Sequence, residues 1–227
     1  MLVFSYGIPK SGNTLAFELA KAVARLGGHS QRKLPTALLP GGFKVNFAQN
    51  LTPEVLRALA ALAEGRLCVV KTHACPGPDW VAEYRALAAQ GLVSAHVNHR
   101  DPRDISLSLL DAGRLARVRG EQAFSEFVTL EDAVARVRRY LAELAVWSGL
   151  PQRLDLHYDD CAFRMDRAIE AIKADFGIAC PNSPVRLWVI RLAFTHRNKA
   201  MPNRHLAELS QEQAAWLARE FAAWLPA

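Results

Sequence analysis

The sequence has no long apolar run. Nothing in it approaches the ~18 consecutive apolar residues of a membrane-spanning helix, so no membrane span is expected, and its first apolar segment stops at Gly7, too short for a secretory leader. Cysteine is scarce: Cys68, Cys75, Cys161 and Cys180 show no C-x-x-C spacing and no dense framework, which fits the reduced, structural thiols of a cytoplasmic protein. No Cys, Asp or second His falls at metal-ligand spacing around His96 or His99, so no metal is expected. Internal repeats, linkers and low-complexity segments are also lacking. Acidic residues fall short of basic ones, 22 against 28, and the resulting charge of +6 suits an anionic ligand. The same balance would serve RNA, but the arginines are dispersed and no aromatic stacking motif accompanies them, so no nucleic-acid partner is expected. What remains is a chain of 227 residues, 51% of them hydrophobic, enough to bury one core as a single domain over 1–227.

The most informative missing residue is a single lysine. Gly7-Ile8-Pro9-Lys10-Ser11-Gly12-Asn13-Thr14 follows the apolar run Leu2 to Tyr6 and precedes an amphipathic one from Leu15 to Leu26. That order predicts strand, tight loop, helix, a geometry that binds phosphate through the orphan N–H groups of the helix start. Gly7, Gly12 and Thr14 stand at Walker A spacing, but Asn13 occupies the position of the Walker lysine and the loop's only lysine is Lys10.

Further along, Leu15, Leu19, Ala22, Val23 and Leu26 recur at helical spacing up to Gly27-Gly28. From His29 to Asn50 periodicity is lost in an apolar loop holding Leu34, Leu38, Leu39, Phe43, Val45 and Phe47, which either lines an acceptor pocket or packs as a surface loop. Thr52-Pro53 opens a helix to about Glu64. A buried strand from Leu67 to Val70 runs into Lys71-Thr72-His73. Lys71 and His73 point to one side at the carboxyl end of that strand, where open α/β sheets bind ligands; the plainer alternative is a solvent-facing lysine and a capping histidine. Asp79 is expected to cap a helix from Trp80 to Gln90. A third strand, Leu92 to Asn98, leads to Arg100 and then to Asp101 as N-cap and Pro102 as first helical residue, where a guanidinium can grip a phosphate bidentately. Ser108 lies about two turns into that helix. Arg114 to Gly120 reads as a basic loop, Thr129 to Trp147 as a long helix with Arg136, Arg138 and Arg139 on a solvated face, and Leu154 to His157 as a strand. Helices are expected over Ala162 to Phe176, Arg186 to Thr195 and Ser210 to Leu225, with an irregular basic segment from His196 to His205. At least four helix-connected strands predict an α/β fold, a three-layer, P-loop-like arrangement with a central parallel sheet flanked by helices.

Three of these motifs, in this order, resemble the cytosolic-type sulfotransferases that use 3′-phosphoadenosine 5′-phosphosulfate (PAPS): Pro9-Lys10-Ser11-Gly12-Asn13-Thr14, Lys71-Thr72-His73, and Arg100 through Ser108. The resemblance implies PAPS as sulfuryl donor, 3′-phosphoadenosine 5′-phosphate (PAP) as product and no metal. It implies that Lys10, Ser11, Gly12, Asn13 and Thr14 hold the 5′-phosphosulfate, that Arg100 and Ser108 hold the 3′-phosphate, and that His73 is the general base assisted by Lys10 and Lys71. Tyr158, in Leu154 to Asp160, matches the tyrosine near the adenine. The family's closing loop, Arg-Lys-Gly followed by Gly-x-Trp, is replaced here by Thr195 to Leu206, without its glycines and tryptophan; Arg197 is the candidate phosphate contact, with Lys199 and Arg204 competing. The implied reaction is in-line sulfuryl transfer to a hydroxyl or amine of a small-molecule or carbohydrate acceptor. The apolar loop favours a lipophilic acceptor, whereas Arg114, Arg117 and Arg119 favour an acidic one. Competing readings are a P-loop kinase or NTPase, which needs magnesium and ATP, and a non-catalytic adenine-nucleotide binding module. Nothing in the sequence bears on oligomeric state.

Overall fold

All six residues of the first strand, β1 (Leu2–Gly7), are buried, the environment of a central strand in a parallel sheet covered on both faces. The computed structural model describes residues 1–39, 45–192 and 200–225. Its sheet has five strands in the order β2-β3-β1-β4-β5, with β2 at Phe47–Ala48, β3 at Cys68–Thr72, β4 at Val93–His99 and β5 at Arg153–His157. Every pairing is parallel, and Tyr6 stands between Thr72 on one side and Val97 on the other. After β3 the chain passes β1 to form β4 on its other side. That reversal puts the carboxyl ends of β1 and β4 at the switch point where such sheets bind ligands.

The residues group into two compact units, Met1–His99 with Glu143–His196, and Arg100–Ala142 with Arg197–Ala227. In the first, side chains of β1 alternate between two apolar layers, as strand geometry requires. Val3 packs with Phe17, Leu19 and Val23 of α1 (Asn13–Leu26), with Ile169 and Ile172 of α7 (Met165–Phe176), and with Val185 of α8 (Asn182–Leu187). Phe4 and Tyr6 face the other way. Phe4 meets Trp80 of α3 (Pro78–Ala89) edge-on at 5.3 Å, and Tyr6 stacks on Trp147 at 4.8 Å. Trp147 belongs to α5 (Leu130–Ser148) and donates its indole N–H to Ala74 O at 3.0 Å, tying this aromatic layer to the segment after β3. Between these elements, α2 (Pro53–Leu62) starts at Thr52, whose hydroxyl accepts from Val55 N–H, as expected of an N-cap followed by proline.

The second unit holds α4 (Pro102–Arg119), the first part of α5, α9 (Arg204–Glu208) and α10 (Gln211–Glu220). Asp101 caps α4 through Arg103 N–H, with Pro102 in the first turn. The expected loop from Arg114 to Gly120 is instead the end of this helix, which stops at Gly120 with φ 68°. Arginine and alanine sustain a helix well, and Arg117 has partners to reach, donating to Ser125 O and Phe127 O at 2.9 and 2.8 Å.

Other boundaries also differ. The aperiodic loop contains β2, too short to carry a period; it is set by the sheet edge, where Lys71 N–H donates to Asn46 O at 2.8 Å. Gly77, not Asp79, precedes α3, and Asp79 sits in the first turn, where its charge suits the helix dipole. The single helix expected over 162–176 is two, α6 (Tyr158–Phe163) and α7, broken at Arg164. The helix expected from Arg186 starts earlier, at α8, and continues as a π turn, Trp188–Leu192. Arg204 and His205, expected in an irregular segment, begin α9.

Candidate active site at the carboxyl ends of the strands

The loop between β1 and α1 turns through two left-handed residues, Lys10 at φ 73° and Gly12 at φ 88°. Ser11 N–H closes the turn on Ile8 O at 3.0 Å, and Leu15 and Ala16 N–H both close on Gly12 O, at 2.9 and 3.2 Å. The N–H groups ahead of them, at Asn13 and Thr14, form the open start of α1, where an anion is favoured by dipole and donors together. Both glycines are required sterically. A Cβ at Gly7 would lie 2.8 Å from Ser11 Oγ, and one at Gly12 would enter the ring of Tyr158, with Cε2 at 2.9 Å.

Two asparagines strap this loop to the sheet. Asn13, expected among the donor-binding residues, turns its side chain inward: Nδ2–H donates to Thr72 O at 3.0 Å and Oδ1 accepts from Ser5 Oγ at 3.1 Å. What Asn13 offers to a ligand is its backbone N–H. Asn98 of β4, which sequence reasoning missed, donates to Ser11 O at 2.6 Å and to Ser11 Oγ at 3.2 Å. Its signal was present: an asparagine in a strand buried at the centre of a parallel sheet needs a buried partner. Asn13→Ala should therefore cost about 1–3 kcal/mol of stability, because it orphans a buried strand carbonyl; urea unfolding of the two proteins measures it.

The structure brings the expected catalytic pair to this loop. Lys71, near the end of β3, donates to Thr14 Oγ1 at 2.7 Å, and His73, just beyond β3, donates Nδ1–H to Gly7 O at 2.6 Å. A carbonyl can only accept, so this bond fixes the proton on Nδ1 and leaves Nε2 as the basic nitrogen. Phe47 on the neighbouring strand lies edge-on to the His73 ring at 5.6 Å, with Lys71 Nζ 5.9 Å from its own ring centre. Burial and then the Lys71 charge pull the His73 pKa down to about 4, against the Gly7 hydrogen bond. Burial likewise lowers Lys71 to about 8, although Glu18 opposes it. At neutral pH the imidazole is therefore neutral and the ammonium mostly charged, which is the state a base and an adjacent cation need. Neither is the solvent-facing lysine or capping histidine of the plainer reading.

Of the other expected residues, Lys10 is half-buried in the loop, Ser11 is fully buried within it, and Tyr158 opens α6 with its ring over Gly12. In the second unit, Arg100 precedes the α4 cap and has its guanidinium 3.9 Å from Asp104, while Ser108 is buried two turns into the helix. Arg197 and Lys199 lie outside the described residues. Arg204 is buried and already neutralised, by Glu208 at 2.8 Å and Asp111 at 2.7 Å, so it drops out as a phosphate contact. Among the described residues no group of His, Cys, Asp or Glu is arranged to hold a metal, and no helix is long and apolar enough to cross a membrane.

No protein-family model matches the chain, and no curated protein matches it either. Solved structures do. The mouse sulfotransferase SULT7A1 complexed with PAP aligns over 98% of this chain and 83% of its own, at 12% identity and a TM-score of 0.60. Retinol dehydratase in complex with androsterone and the inactive cofactor PAP aligns over 98% of this chain and 80% of its own, at 14% identity and a TM-score of 0.58. With five parallel strands flanked by helices and a glycine loop leaving the central strand, this chain has the fold of the sulfotransferases.

Proposed function

We propose that the chain is a PAPS-dependent sulfotransferase, acting as one sulfotransferase-like domain over 1–227, and that His73 is its general base. The observation that carries this reading is the juxtaposition of His73, Lys71 and Thr14 on the loop from Gly7 to Thr14. The residues fit a phosphosulfate: Gly7 and Gly12 permit the close packing of the turn against Ser11, Asn13 and Tyr158, and Lys10 with the α1 N–H groups supplies positive potential. Lys10 and those N–H groups would hold the 5′-phosphosulfate and stabilise the charge that builds on the leaving phosphate oxygen. His73 Nε2 would take the proton from the acceptor hydroxyl or amine as its heteroatom bonds to sulfur and the bond from sulfur to that phosphate oxygen breaks. Lys71 would steady the sulfuryl oxygens. Arg100 and Ser108 are assigned to the 3′-phosphate and Tyr158 to the adenine. A Walker-type kinase is disfavoured because Asn13, where its lysine belongs, is committed to the strands.

The acid and base assignments make the pH profile specific. Turnover under kcat/KM conditions should need neutral His73 and charged Lys71, giving an ascending limb near pH 4 and a descending limb near pH 8. Removing the cation in Lys71→Met raises the His73 pKa, so the acid limb should move up. A profile whose limbs are unmoved by that change would reject the pairing.

The direct test is calorimetric titration with PAP, beside ATP with magnesium. Tight PAP binding without metal and much weaker ATP binding are expected, followed by turnover of PAPS with a phenol, a primary alcohol or an amine. ATP with magnesium binding as well as PAP would transfer the assignment to the kinase reading.

A further inference from the structure

A buried carboxylate in α1 has no place in the mechanism above. Glu18 is 6% exposed and stands in the second turn of the helix, past the first turn where the dipole would stabilise it. It pairs with Lys21, whose Nζ lies 2.9 and 3.0 Å from the two carboxylate oxygens and 4.7 Å from the centre of the Phe17 ring. A pair at this spacing on a helix contributes little. It does not by itself account for a carboxylate taken out of water.

Helix geometry supplies a second neighbour. Glu18 lies one turn after Thr14 on the same face of α1, and a helical side chain leans back over the turn that precedes it. That turn carries the Thr14 hydroxyl, which accepts from Lys71 Nζ at 2.7 Å. The carboxylate is therefore directed toward the end of the Lys71 chain. Ser5 of β1 and Phe47 of β2 flank Lys71 in the sheet, both uncharged, His73 beyond β3 is neutral near pH 7, and the loop ahead of α1 carries the cation Lys10. Among the described residues, the anion acting on Lys71 is Glu18. We infer that Glu18 is a positioning residue of the proposed reaction, holding Lys71 as an ammonium against Thr14 at the donor loop and dividing its own charge between Lys71 and Lys21. The inference rests on the reading of Lys71 as the cation that steadies the sulfuryl oxygens. Burial opposes that charge and already brings Lys71 down to about 8. Without Glu18 the amine would lose its proton within the neutral range and no longer steady an anion.

The readout is the pH dependence of kcat/KM for PAPS with a phenol, each protein being compared with itself. Glu18→Gln keeps the shape of the side chain and removes its charge, so the descending limb should move from about pH 8 toward about pH 7. The ratio of kcat/KM at about pH 8 to that at about pH 6 should then fall about fivefold, whatever uniform loss the change also brings. Lys21→Met breaks the same ion pair but removes a cation, and should move the limb up. A merely loosened α1 would send both variants the same way. A limb unmoved in Glu18→Gln, or unmoved or lowered in Lys21→Met, would overturn the inference, and the second variant decides it alone if the first does not fold. The Lys71 amine can also be titrated without turnover, by NMR of protein whose lysines carry isotope-labelled methyl groups, with Lys71→Met identifying its signal. Its midpoint should fall in Glu18→Gln and rise in Lys21→Met; an unmoved midpoint refutes the coupling. Midpoints that move beside a pH profile that does not would uphold the coupling and remove Lys71 from the reaction, which tells the two failures apart.

Discussion

His73→Ala is expected to lower turnover of PAPS by about 10²- to 10⁴-fold, the usual cost of losing a positioned base, while PAP affinity stays close to that of the wild type. The chemistry of sulfuryl transfer requires a group that can accept a proton from the acceptor as it attacks, and His73 Nε2 is the nitrogen that the Gly7 hydrogen bond leaves basic. The alanine variant has one further consequence, because it takes a donor away from Gly7 O and so loosens the end of β1 where the loop to α1 begins. His73→Asn distinguishes the two roles. Its amide can donate to Gly7 O in place of Nδ1–H but cannot act as a base, so it should match His73→Ala in lost turnover and match the wild type in PAP binding and melting temperature. Turnover in either variant comparable to the wild type would remove His73 from the reaction. If the asparagine variant is active and the alanine variant is not, the histidine serves only to hold the loop.

Gly12→Ala should be nearly as damaging, and for reasons that do not depend on the chemistry. The residue sits at φ 88°, in the left-handed region that costs an L-residue roughly 1–2 kcal/mol, and the new methyl group would also enter the ring of Tyr158. The first cost is intrinsic to the backbone, whereas the second can be relieved by moving the ring. We therefore expect a drop in melting temperature together with at least a tenfold loss of PAP affinity, since about 1.4 kcal/mol of distortion at the loop is worth a factor of ten. Adding Tyr158→Ala should recover part of the stability, by removing the clash, but not the part due to φ. A Gly12→Ala protein that melts and binds PAP as the wild type does would show that the loop is not held in this conformation.

The features legible in the sequence were local ones. The strand, loop and helix around Lys10, the Thr52-Pro53 and Asp101-Pro102 helix starts and the parallel sheet all follow from dihedral preferences and short-range periodicity, which neighbouring residues set for themselves. Lys71 and His73 could be placed at the carboxyl end of a strand for the same reason. What they touch could not, because Thr14 lies 57 positions from Lys71 and Gly7 lies 66 from His73. The same limit explains β2, a two-residue strand that exists only because β3 offers it an edge, and the helical course of Arg114 to Arg119, where a run of charge resembled a loop until Arg117 found carbonyls to bond.

Asn13 shows the division most clearly. By itself the sequence determined that a glycine-containing loop joins the first strand to the first helix and that Asn13 stands where a Walker lysine would. Only the tertiary structure decided that its side chain faces the sheet, bonded to Ser5 and Thr72, and that Asn98 holds the other side of the loop. The same is true of Asp104, which accepts hydrogen bonds from a histidine 101 residues away in sequence. Hydrogen bonds between distant segments form only where folding has excluded water and brought donor to acceptor, and no spacing along the chain encodes that meeting.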